Sequence, residues 1–94
     1  MHETGDLPQA QALYRLAISI YELDPENDGS RAALSTGALA SLMERTGDYI
    51  GARLLYETAV AKSAKALGAD HPSTLQMKQR LDTLMLRLAD PHIN

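Results

Sequence analysis

Apolar residues in the first third of the chain fall at Ala10, Leu13, Tyr14, Ala17, Ile18 and Tyr21. Steps of three and four place them on one stripe of an α-helix. The stripe returns at Ala52, Leu55, Tyr56, Ala59 and Val60. Leu39, Leu42, Met43 and Thr46 form another, and Leu81, Leu84, Met85 and Leu88 a fourth. Small alanines beside a large tyrosine suit two helices in close contact, because the alanine lets the neighbour approach and the ring fills the gap. The pattern predicts an all-α fold of four helices.

The punctuation supports the same division. Pro25 disfavours helix at Asp24, so the first helix should stop near Leu23. Asp28 or Ser30 can cap the second helix, and Asp48 the third. Gly47 can take the left-handed turn between them. Gly68 ends the third helix, Pro72 stands in the first turn of the fourth, and Pro91 follows it. Helices are expected at about 7–23, 30–45, 49–66 and 72–89, with tails at 1–6 and 90–94, each boundary good to roughly 2–4 residues.

The chain also repeats itself. "TGDLPQAQALYRLA" begins at Thr4 and "TGDYIGARLLYETA" at Thr46, 42 residues on (46 − 4). The same offset pairs Asp28 with Asp70, Leu39 with Leu81, Leu42 with Leu84, Met43 with Met85 and Arg45 with Arg87. Helix pairs repeating at a period of 20–50 residues indicate a solenoid, here an antiparallel helix-pair stack.

The second copy, "GDYIGARLLYETAVAKSAKALGADHPSTLQ", resembles the long tetratricopeptide repeat of kinesin light chains and their bacterial relatives. The residues that carry the resemblance are Gly47, Asp48, Tyr49, Ala52, Tyr56, Ala59, Leu67, Gly68, Asp70, His71 and Pro72. The first copy keeps Gly5, Asp6, Ala10, Tyr14 and Ala17 but has "DPENDGS" in place of the glycine–histidine–proline turn. The resemblance covers about residues 4–88. It implies that segment 7–23 is the second helix of a repeat, that 30–45 and 49–66 form one complete repeat, and that 72–89 opens the next. Asp82 stands where the family has a small residue, which suits a helix facing water on one side.

Composition narrows the chemistry. The 94 residues allow one small domain. The absence of cysteine removes disulfides, thiol nucleophiles and cysteine-ligated metal sites, and fits a cytoplasmic setting. A net charge of −3 without a basic cluster argues against nucleic acid. No apolar run approaches the ~20 residues that span a bilayer, so no membrane partner is expected. His71 follows Asp70, but no nucleophile or second base accompanies it, and the "DHP" triplet reads as a helix-opening turn. His2 and His92 sit in the tails. Glu22, Asp24, Glu26 and Asp28 lack the ligand alternation, glycine and final glutamate of a calcium loop. With no phosphate loop or nucleophile elbow, the expectation is a protein without catalytic, metal or cofactor-binding residues.

What remains is surface. The resemblance implies that the first helix of each repeat lines a concave groove. The groove-facing residues would be Leu34, Gly37, Ser41, Glu44 and Arg45 from one helix, and Gln76, Gln79, Thr83, Leu86 and Arg87 from the other. Relatives that clamp a peptide carboxylate do so with Lys, Arg and Asn where this chain has the uncharged Gly37, Ser41, Gln79 and Thr83. Kinesin-type grooves favour asparagine where Gly37 and Ala38 stand here. The matched Arg45 and Arg87 favour an extended protein segment of acidic character.

A second surface is suggested by a difference between the copies. Leu16, Ile20 and Leu23 align with Thr58, Lys62 and Lys65. The polar set implies an arc that meets water, and the apolar set marks a contact. The expected function is non-catalytic protein–protein interaction as a scaffold binding a protein or peptide. The alternatives are a self-associating homo-oligomer module and a piece of a longer repeat array.

Overall fold

The computed structural model describes the backbone of residues 2–24 and 29–89, with side chains from Leu7 onward. Four helices follow one another: α1 (His2–Leu23), α2 (Ser30–Arg45), α3 (Tyr49–Leu67) and α4 (Pro72–Ala89). Each packs on the next in the chain, so α1 and α3 form one layer and α2 and α4 the other. The protein is all-α, a stack of antiparallel helix pairs.

Local chemistry explains the turns. At the end of α2, Gly47 adopts φ 93°. Its N–H reaches the Glu44 carbonyl at 3.1 Å, and that of Asp48 reaches Met43 at 2.9 Å. These two bonds satisfy carbonyls that a helix end would otherwise leave open. Asp48 Oδ1 then accepts from the Gly51 N–H at 3.0 Å and caps α3. Gly68, at φ 108°, closes α3. His71 opens α4, its Nδ1 accepting from the Ser73 N–H at 3.1 Å.

At the other boundaries the structure differs from expectation or is silent. The expected tail at 1–6 is corrected, because α1 begins at His2 and contains Pro8. Pro8 lacks the N–H that would bond the Thr4 carbonyl, and Gly5 costs about 1 kcal/mol against alanine. The backbone nonetheless stays helical through both. Ser30 is the first residue of α2, with Gly29 at the cap position. Pro25, Asp28, the tail at 90–94 and the side chains of His2 and His92 lie outside the described residues.

The core is built on the repeat. Leu39, Ala40, Met43, Ala52, Tyr56 and Leu84 are buried together, with Tyr14, Ile18, Leu55, Leu81 and Leu88 packed around them. Ala33, Ala59 and Met77 form a second cluster against Val60. Between α3 and α4 the buried hydroxyls of Ser63 and Thr74 lie 2.6 Å apart and satisfy one another.

Two large apolar residues of the stripes, Leu13 and Met85, are exposed. Leu13 is 61% exposed, although its counterpart Leu55 packs against the cluster. Helix α3 has neighbours on both sides and α1 packs chiefly on α2, so among the described residues no helix covers the side of α1 that carries Leu13. Met85 is exposed for the corresponding reason on α4, while its counterpart Met43 is buried under α3.

Candidate functional site

Helices α2 and α4 face one another across a shallow cavity of about 250 Å³. From α2, Leu34, Gly37, Ala38 and Ser41 line it, and from α4, Gln76, Met77 and Arg80. Tyr56 of α3 completes its lining. The spacing explains the wall. Residues 34, 37, 38 and 41 are one row of a helix, as are 76, 77 and 80, and each row turns toward the other. Gly37 keeps the space open. A Cβ there would lie 3.7–3.8 Å from Met77, in ordinary contact, whereas a longer side chain would enter the cavity.

Four of the ten expected groove residues, Leu34, Gly37, Ser41 and Gln76, line this cavity. Glu44 lies at its edge through Tyr56, whose phenol donates to Glu44 Oε1 at 3.2 Å. Arg87 is brought to the same carboxylate, with Nη1 3.5 Å from Glu44 Oε2. Arg45, Gln79, Thr83 and Leu86 are exposed and do not line the cavity. Ala38, a groove position by the resemblance, lines the cavity too, whereas the pattern of the sequence missed Tyr56, Met77 and Arg80. Arg80 was within reach, since it lies four residues beyond the chosen Gln76.

Electrostatically the cavity is mixed. Burial, and then the negative charge of Glu44, raise the Tyr56 phenol above its ordinary pKa of 10.0, while contacts with Ser41 and Arg80 pull it back. The phenol therefore stays protonated at neutral pH and holds its proton toward Glu44. Arg87 offsets the Glu44 charge, which leaves Arg80 as the cation in the cavity lining. The site offers an aliphatic wall, hydroxyl and amide groups, and a guanidinium at the mouth.

This geometry of two equivalent helices over a third has a counterpart in sequence. Residues 33–73 match the tetratricopeptide repeat family. The match begins in α2, takes in all of α3 and ends in the first turn of α4, close to one full 42-residue period. No curated protein and no solved structure matches the chain. Tetratricopeptide repeats generally mediate protein–protein interaction, and the matched residues take in most of α2 and all of α3.

The remaining sequence candidates take other positions. His71 is occupied as a helix cap. Among the described residues no three His, Asp or Glu side chains gather as metal ligands, and no helix is long and apolar enough to cross a membrane. Leu16, Ile20 and Leu23 are 57%, 57% and 82% exposed on α1. Of their counterparts Lys65 is exposed, while the other two border α1. Thr58 and Lys62 line a cleft against Arg15, Ile18 and Ser19 of α1, and the Lys62 ammonium pairs with Glu22. The arc is the side on which this stack receives the preceding helix of the same layer.

Proposed function

We propose that the protein is a non-catalytic interaction module of the kinesin light chain-like tetratricopeptide type. It binds an extended segment of another protein, acidic in character, along the groove between α2 and α4. The cavity carries this reading, because it combines an aliphatic wall with Ser41, Gln76 and Arg80 at one open face. Such a wall receives an apolar side chain, while the hydroxyl and amide groups hydrogen-bond an extended backbone. Arg80 and Arg45 would attract acidic side chains of the segment, while the Glu44 charge is already offset by Arg87. The cysteine-free composition suits a cytoplasmic setting as part of the same proposal.

A labelled extended peptide alternating glutamate with leucine, and its lysine counterpart, test the reading by fluorescence anisotropy. The acidic peptide is expected to bind, and the basic one far more weakly. Gly37→Leu fills the cavity and is expected to weaken binding at least tenfold, equivalent to about 1.4 kcal/mol. Charge reversal at Arg45 and Arg80 should weaken it further without unfolding the domain. Equal binding of both peptides, or binding indifferent to Gly37→Leu, would place the partner surface elsewhere.

A further inference from the structure

Four large aliphatic side chains lie on the outer face of α1: Leu13, Leu16, Ile20 and Leu23. Each is more than half exposed, from 57% to 82%. Their spacing is three, four, three, which draws a single seam along the helix, as in a pair of helices packed side by side. The inward face of α1, carried by Tyr14, Ile18 and Tyr21, lies roughly 150° around from it at 100° per residue. Helix α1 therefore has two apolar faces, one spent on the core and one open.

The repeat identifies the open face. Shifted by 42 residues, Leu13, Leu16 and Ile20 become Leu55, Thr58 and Lys62, which line the cleft between α3 and α1. Lys62 pairs with Glu22 across it. The seam on α1 thus continues an interface that the fold already uses, with aliphatic residues where α3 has a hydroxyl and an ammonium.

Two copies of the chain could use this seam head to tail or face to face. Head-to-tail stacking would bring α4 of one copy against α1 of the next, as α2 lies against α3. The buried Thr36 and Ala40 of α2 correspond to Lys78 and Asp82 of α4, both exposed. That arrangement would bury a lysine and an aspartate against an aliphatic surface, and taking two charges out of water is costly. Face-to-face packing of α1 on α1 buries the four aliphatic residues of each copy and leaves Lys78 and Asp82 of α4 in water. It is self-complementary under a two-fold axis, since antiparallel helices set Leu16 opposite Ile20 and Leu13 opposite Leu23. The exposed Ala12 and Ser19 beside the seam are small enough to admit close approach.

We propose that this face of α1 is the interface of a symmetric dimer, formed with α1 of a second copy of the chain. The groove between α2 and α4 is left free, so the dimer presents two grooves. The proposal does not depend on what the groove binds.

Sedimentation velocity over a concentration series tests it directly. The wild type is expected to pass from the 10.2 kDa monomer to a species of twice that mass, and no further. Leu16→Thr with Ile20→Lys and Leu23→Lys, the residues of the other copy, should hold the protein monomeric with its helical circular dichroism unchanged. If that variant does not fold, backbone NMR of the wild type on dilution supplies the answer, with shifts expected along α1 and none along α4. A wild type still monomeric at about 1 mM, where even an interaction of −4.1 kcal/mol would show, overturns the proposal. Assembly beyond the dimer, or dilution shifts on α4, overturns it in favour of head-to-tail stacking.

Discussion

Tyr56 and Glu44, twelve residues apart, meet across the α2–α3 pair with the phenol oxygen 3.2 Å from the carboxylate. The ring is fully buried in the core while its hydroxyl reaches the lining of the groove. Glu44 in turn holds Arg87 of α4. One side chain therefore ties three helices to the candidate binding surface, and removing its parts separates packing from polar contributions.

Tyr56→Phe keeps the ring and removes the donor. Loss of a hydrogen bond to a charged acceptor is expected to cost roughly 1–3 kcal/mol, read from urea unfolding midpoints at neutral pH. The raised phenol pKa also sets a pH dependence. The folded state holds this proton more tightly than the unfolded chain, so the associated stability is complete below about pH 10 and is lost as pH rises through the folded value. Wild-type midpoints should therefore fall above pH 10, and the phenylalanine variant should fall less steeply.

Tyr56→Ala removes the ring itself, which is 0% exposed, and should cost about 3–5 kcal/mol. Ala59→Leu works in the opposite sense. Ala59 is also 0% exposed and packs with Ala33 and Met77, so the larger side chain should overpack the contact and cost about 1–3 kcal/mol. Chemical denaturation of both variants checks the small-against-large packing, and unchanged midpoints would refute it.

Ser63 and Thr74 satisfy each other's hydroxyls in the core. Ser63→Ala alone leaves the Thr74 hydroxyl without that partner and should cost about 1–3 kcal/mol. The double change, Ser63→Ala with Thr74→Val, removes both polar groups and should recover most of the loss. A double-mutant cycle in urea measures the coupling, and strictly additive costs would show that the pair does not interact.

Gly37→Ala should stabilise the domain by about 0.8–1 kcal/mol, because glycine in a helix interior is costly and the new Cβ meets Met77 at an ordinary distance. Thermal unfolding at a fixed scan rate provides the measurement. A destabilised protein would mean that Met77 has no room to accept the methyl group.

Much of the fold was legible without coordinates. The 42-residue echo, the three-and-four spacing and the chemistry of Gly47, Asp48, Gly68 and His71 are local, and local bonding determines where these helices turn. Tyr14 and Ile18 faced the core as their stripe implied. Leu13 lay on the same stripe and stayed exposed, because periodicity describes one helix and says nothing of whether a neighbour covers each side. The N-terminal extension of α1 went unseen for a related reason, since Gly5 and Pro8 weaken a helix without always stopping it.

The candidate site was legible only in part. Leu34, Gly37, Ser41 and Gln76 could be assigned from repeat register, whereas Tyr56 and Met77 read as core residues and proved to line the cavity as well. Arg87 looked like a free groove cation until the packing of α4 brought it to Glu44. The sequence by itself determined the helices, their order and their repeat, because hydrogen bonding and turn chemistry act over a few residues. Which apolar stripes are covered, which charges are paired and where a cavity stays open were decided by tertiary packing, because each depends on side chains from helices far apart in the chain.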